Sequence, residues 1–202
     1  MIERVAMSDR ATSERASSDR ANRHPVSRYQ ASFSLGNKLV RVIWGTTWLL
    51  LGRFSPPPMW GWRRLLLRAF GARIGRGARV YGSTRIWLPG NLTLGNGALI
   101  GRRVNLYNQG TIRIGRHSVI SQDASLCASS HDVEHPGFPL VTRPIAIGDN
   151  VWIAAEAFVG PGVTIGDGAV LGARGVAMRP LEPWIYYSGN PATRLRDRPR
   201  LR

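Results

Sequence analysis

His131, Asp132, Glu134 and His135 fall within five consecutive residues of a chain that has only 12 acidic residues and 4 histidines in 202. An imidazole exchanges protons near neutral pH, so a histidine held in place is suited to take a proton from a hydroxyl or an amine. His131 opens this stretch, and Asp132, Glu134 or a backbone carbonyl is at hand to fix its tautomer. A histidine in a surface loop is more often merely solvated, so the residues alone do not decide for catalysis. Metal chemistry is a second possibility, since His117, His131 and His135 supply the three imidazoles of a catalytic zinc site. A thiol nucleophile is a third, but Cys127 reads better as a small half-buried wall residue. As the single cysteine it forms no intrachain disulfide, which fits an intracellular, cytoplasmic protein.

What positions these groups is a repeat of six. From Ile147 to Ala177 an aliphatic residue opens each hexad (Ile147, Ile153, Val159, Ile165, Leu171), and a small one or a valine stands fifth (Val151, Ala157, Val163, Ala169, Gly175). Going back, hexads open at Ile114, Ile120 and Leu126, at Leu94, Ile100 and Leu106, and at Ile74, Val80 and Ile86. A period of six fits neither a helix nor a simple alternating strand. It fits a chain wound into a three-sided prism, with openers stacked inward and a Gly or Ala after the opener easing each corner. A β-sandwich with frequent turns would not keep one register for about a hundred residues. The fold class is therefore all-β, a parallel β-helix over residues 73–180. The register breaks once, after Leu126, and residues 129–143 leave the prism as a protruding loop that carries His131. Loops on rigid scaffolds are favoured places for function.

The flanking segments differ from the prism. Residues 1–28 repeat Ser-Asp/Glu-Arg-Ala without an apolar stripe and read as a disordered basic tail. Residues 29–72 read as two short helices split by Pro56-Pro57-Pro58, and residues 181–202 as a C-terminal extension. The apolar run near Leu39–Leu51 is broken by Arg41 and is too short to span a bilayer. Two roles stay open for this helical segment: a cap over the open end of the prism, or a cap that also contacts a membrane surface. Between Asp19 and Asp123 there is no acidic residue against seventeen Lys or Arg, a field that suits anionic headgroups. The net charge of +16 also invites a nucleic-acid partner. Nothing in the motifs resembles a nucleic-acid module, so none is expected.

The residues Trp62-Arg63-Arg64, Phe70-Gly71-Ala72, Asn105-Leu106-Tyr107-Asn108, Ser130-His131-Asp132, Val151-Trp152-Ile153-Ala154, Pro161 to Gly166 and Gly189-Asn190-Pro191-Ala192 carry a family likeness. The chain resembles the hexapeptide-repeat acyltransferases, and within them the colanic-acid-biosynthesis and related exopolysaccharide O-acetyltransferases. The resemblance implies a left-handed β-helix assembled as a homotrimer, with transfer of acetyl from acetyl-CoA to a sugar hydroxyl and no metal. It implies His131 as general base and Asn105 as a holder of the acceptor or of the developing oxyanion. It implies Trp152 and Ala155 beside the pantetheine arm, Ala173 offering backbone contacts, and Arg179 and Arg196 near the CoA phosphates. An outward tryptophan on a flat wall suits such a platform. The implied acceptor is a saccharide, lipid-linked or free, with the enzyme peripheral at the inner face of the cytoplasmic membrane. Sugar acetyltransferases of this kind carry Gly-His-Pro where this chain has Ser130-His131-Asp132, which leaves the role of Asp132 open. A nucleotide sugar or small amine is the alternative acceptor. The rival on the same prism is a γ-carbonic-anhydrase-like zinc enzyme, although the spacing of His117, His131 and His135 does not match it.

Overall fold

The structure is a computed structural model, and it describes residues 33–200. The serine-, arginine- and alanine-rich repeats expected to form a tail lie outside the described residues. Residues 33–131 and 140–200 belong to one compact unit, and Asp132–Pro139 form a second piece.

The larger unit is a left-handed parallel β-helix of about six turns. Wall 1 stacks Arg73–Ile74, Leu92–Leu94, Ile112–Ile114, Ile145–Ile147 and Thr164–Ile165. Wall 2 stacks Arg79–Val80, Leu99–Ile100, Val119–Ile120, Trp152–Ile153, Val170–Leu171 and Ile185–Ser188. Wall 3 stacks Arg85–Ile86, Asn105–Tyr107, Ser125–Cys127, Phe158–Val159 and Val176–Ala177. Every hexad opener is buried and pairs in register with the opener one turn away, as in Ile120 with Ile153 and Leu106 with Leu126. These apolar columns are the core, and removing them from water is the main stabilising term.

Two features differ from the sequence expectation. The left-handed backbone falls on the fourth place of the hexad, at Gly77, Gly97, Gly162 and Gly168 but also at Arg103, His117, Asp123, Asn150, Glu156 and Arg174. The glycine after the opener serves close approach instead of conformational freedom: a Cβ on Gly75 would lie 2.5 Å from the Asn96 amide nitrogen in the next turn. Second, parallel stacking continues past residue 180. Leu181 bridges to Ile165, Ile185–Ser188 joins wall 2, and Thr193–Asp197 returns antiparallel against it.

The first turn leaves wall edges with unpaired carbonyls, which helices cover. Helix α1 (Leu35–Thr47) runs into a π-helical turn (Trp48–Gly52), and α2 (Trp60–Ala69) follows the prolines. The indole N–H groups of Trp44 and Trp48 donate to the carbonyls of Ile86 (2.8 Å) and Thr84 (3.1 Å). The guanidinium groups of Arg64 and Arg68 donate to the carbonyls of Ala78 and Ile74. Gly82 admits this cap because a Cβ there would meet the carbonyl oxygen of Arg53 at 2.6 Å.

Candidate functional site

The surplus residues after wall 3 are more ordered than a loop. Ser129–His131 pairs antiparallel with Leu140–Thr142, giving a two-stranded ribbon rooted at the edge between walls 3 and 1. The root is fixed by the Ala128 N–H donating to Tyr107 O and by the Arg143 N–H donating to Ala128 O. His131 is the last residue of the first strand, opposite Leu140, and is exposed.

Asp132–Pro139 folds upon itself. The Asp132 carboxylate accepts from the N–H groups of Glu134 (3.0 Å) and His135 (3.3 Å). The His135 Nδ1 accepts from the Gly137 N–H, and the Asp132 N–H donates to Pro139 O. Asp132 thus shapes the turn, an Asx-type role.

Asn105 lies on the outward face of wall 3, half-buried, with its Nδ2 donating to Ser125 Oγ at 3.2 Å. Ser125 was not singled out by sequence reasoning. The signal was available, since Asn105 and Ser125 each stand one place before an opener and must therefore stack. Asn108, fully buried, was likewise missed as a structural clasp. Its Oδ1 accepts from the N–H groups of Trp87 and Leu88, and its Nδ2 donates to Leu88 O.

Ala155 and Ala173 are brought together, and Trp152 lies on the adjoining wall 2. Trp152 lies outward on wall 2 and is 44% exposed, with its indole N–H held by Ser121 Oγ at 2.9 Å. Its ring face is therefore what it offers to a ligand. Ala155 and Ala173 stack at the edge between walls 2 and 3, where the Arg174 N–H donates to Ala155 O. The Arg174–Glu156 ion pair, 2.8 Å, flanks this edge. Asp123, on the same edge one turn before Glu156, is held below the usual carboxylate range by its hydrogen bond to Arg103.

The two candidate phosphate ligands are not brought together. Arg179 is exposed at the edge between walls 3 and 1. Arg196 lies beyond wall 2 on the return strand, its guanidinium carbon 5.3 Å from the Tyr186 ring.

His117 stands at the edge between walls 1 and 2, its ring lying over Gly97, whereas His131 leaves from the edge between walls 3 and 1. Among the described residues no group of three His, Cys, Asp or Glu could hold a metal ion.

Comparison with known proteins decides the family. The family model described as bacterial transferase hexapeptide (six repeats) matches residues 144–176. The protein of Escherichia coli (strain K12) named "Putative colanic acid biosynthesis acetyltransferase WcaF" is 43% identical over 166 residues, covering 82% of this chain and 91% of that protein. The chain belongs to the hexapeptide-repeat transferase family. It is an acetyltransferase of that family, and acetyl-CoA is the donor such an enzyme consumes. Galactoside O-acetyltransferase of the same Escherichia coli strain is 28% identical over 138 residues, covering 67% of this chain and 68% of its own. The hexapeptide-repeat acetyltransferase VCA0836 of Vibrio cholerae O1 biovar eltor, solved with acetyl-coenzyme A, superposes with a TM-score of 0.75. It is 23% identical, over 84% of this chain and 92% of that one, and supports the fold.

Proposed function

We propose that the chain moves an acetyl group from acetyl-CoA to a hydroxyl of a saccharide destined for exopolysaccharide, in a cleft shared by two copies of a closed trimer. The observation that carries this reading is the separation of the parts. In one copy His131 leaves at one edge of wall 3, whereas Ala155 and Ala173 lie at the opposite edge and Trp152 on wall 2 beyond it. Six residues per side set these edges up to about 20 Å apart. A neighbour related by rotation can place its Trp152 surface against the first copy's His131.

In the reaction, His131 takes the proton of the acceptor hydroxyl as that oxygen attacks the thioester carbonyl. The tetrahedral intermediate collapses, the C–S bond breaks, and the CoA thiolate leaves and is protonated. Asn105, tethered to Ser125, holds the acceptor or donates to the developing oxyanion. Trp152, Ala155 and Ala173 line the pantetheine arm, and Arg179 and Arg196, supplied by different copies, contact the CoA phosphates. A hollow of about 460 Å³ on wall 1 beside the ribbon root, lined by Thr111, Arg113, Arg143, Pro144, Ala146 and Thr164 among others, has room for a sugar unit. The acceptor is a saccharide, lipid-linked or free, and the enzyme works at the inner face of the cytoplasmic membrane.

The test is acetyl-CoA turnover against soluble and lipid-linked saccharides, with His131→Ala beside the native chain. A loss of at least about a hundredfold in kcat is expected, the scale of general-base catalysis. Near-native turnover of the variant removes His131 from the mechanism.

A further inference from the structure

One face of the helical cap is unlike the rest of the surface. The stripe of α1 and its π turn that faces the prism holds Trp44 and Trp48, both buried and hydrogen-bonded to wall carbonyls. Trp62 adds a third tether, its indole N–H donating to Leu51 O at 2.8 Å. The helix is thereby fixed in rotation. Its opposite side presents Leu35, Leu39, Val42, Ile43, Leu49 and Leu50, each between 49% and 82% exposed. Of seventeen exposed large apolar side chains among the described residues, eleven lie between Leu35 and Leu65. Apolar residues scattered singly need no explanation, but a contiguous ridge marks an interaction surface.

Charge selects the partner. Residues 33–72 contain Lys38, Arg41, Arg53, Arg63, Arg64 and Arg68 and no acidic residue. Arg63 is buried, Arg41 lies 4.0 Å over the Trp87 ring, and Arg64 and Arg68 donate to wall carbonyls. Lys38 and Arg53 remain exposed beside the ridge, and Arg73, Arg76, Arg79 and Arg85 of the first turn are exposed. A second copy of the same face would set these cations against their own equivalents. The sequence of residues 1–32 offers no apolar stripe to cover the ridge. A bilayer with anionic headgroups meets both requirements, taking apolar side chains at the acyl boundary and Lys or Arg at the phosphates.

We propose that the outward face of α1 and its π turn is a docking ridge for an anionic membrane surface, lying in the interface plane with Lys38 and Arg53 at the lipid phosphates. No helix of the described residues is long and apolar enough to cross a membrane. The stretch from Leu35 to Gly52 is about 27 Å long at helical rise, and it lies along the surface. This face is separate from the transfer chemistry and stands whether or not His131 is the base.

The test is flotation of the full chain with vesicles of mixed phosphatidylglycerol and phosphatidylcholine, and with phosphatidylcholine alone. The native chain is expected to float with the anionic vesicles and to bind the zwitterionic ones about tenfold less. The triple variant Leu39→Gln, Val42→Gln, Leu50→Gln is expected to lose at least about tenfold of the anionic binding. Its thermal midpoint and its turnover on a soluble acceptor should stay native, which separates failure of docking from failure of catalysis or folding. Native protein remaining in the soluble fraction, or a variant that floats equally well, overturns the proposal. So does a variant whose mass by light scattering falls without lipid, since the ridge would then be a contact between copies.

Discussion

Asp132 spends its carboxylate on two amides of its own turn, so His131 and Asn105 are the groups to test singly for chemistry. Asn105→Ala should lower kcat by about a hundred- to a thousandfold, the range for losing one oxyanion donor, with unchanged melting. Equal turnover would make Asn105 a wall residue. Asn108 predicts the reverse. Asn108→Ala removes three hydrogen bonds of a fully buried amide and leaves the half-buried Leu88 N–H without its partner, so it should cost about 1–3 kcal/mol in denaturant unfolding, with kcat near native. His131 stands out as a candidate because the six-residue register breaks beside it, and a break in a repeat shows in one sequence. Asn105 came only through family likeness. Asn108 was quoted for its motif yet missed as a clasp, because a buried amide at a ladder interruption looks like any loop asparagine until its partners across the turn are placed.

At the scale of elements, the walls were readable and their fastenings were not. Fourteen aliphatic openers announce inward stacking, but no period says that Trp44 and Trp48 point their N–H groups at the first turn's carbonyls. The protruding loop expected at 129–143 begins and ends as a ribbon, because Ser129 to His131 finds an antiparallel partner in Leu140 to Thr142. Gly52 gives the cap a test of its own. A methyl there would sit 2.5 Å from the Trp48 ring, so Gly52→Ala should cost about 1–3 kcal/mol and lower the thermal midpoint. A midpoint unchanged would show the cap to be dispensable for stability. The turn-to-turn ladder gives a second test. The Asp149 carboxylate accepts from the Arg116 N–H, then pairs with its guanidinium, and both hold its pKa below the ordinary carboxylate value. A carboxyl depressed in the folded state stabilises above the unfolded value near about 4, and loses that contribution as pH falls through the lower folded value. Asp149→Asn should therefore flatten the fall in stability below about pH 4, read from melting at stepped pH. An unchanged acid slope would assign that fall to other carboxylates.

At the scale of the whole molecule, the proposed cleft needs a second copy of the chain. The prism holds the candidate base and the candidate thioester surface at opposite edges of wall 3, and a rigid β-helix does not bend to join them. The sequence could not show this without the family, since a repeat of six fixes which residues share a wall and says nothing about neighbours. Light scattering should give a trimer, and a monomer active on its own would contradict the shared cleft. The central claim is tested most directly by co-assembling His131→Ala copies with Trp152→Ala copies after unfolding and refolding together, at acetyl-CoA low enough for Trp152 to limit the rate. If each site takes its base from one copy and its donor surface from the next, about a quarter of the sites become intact in an equal mixture and turnover rises well above either variant alone. Activity of the mixture no greater than the average of the two variants would place base and donor surface in the same copy, and the account would fail.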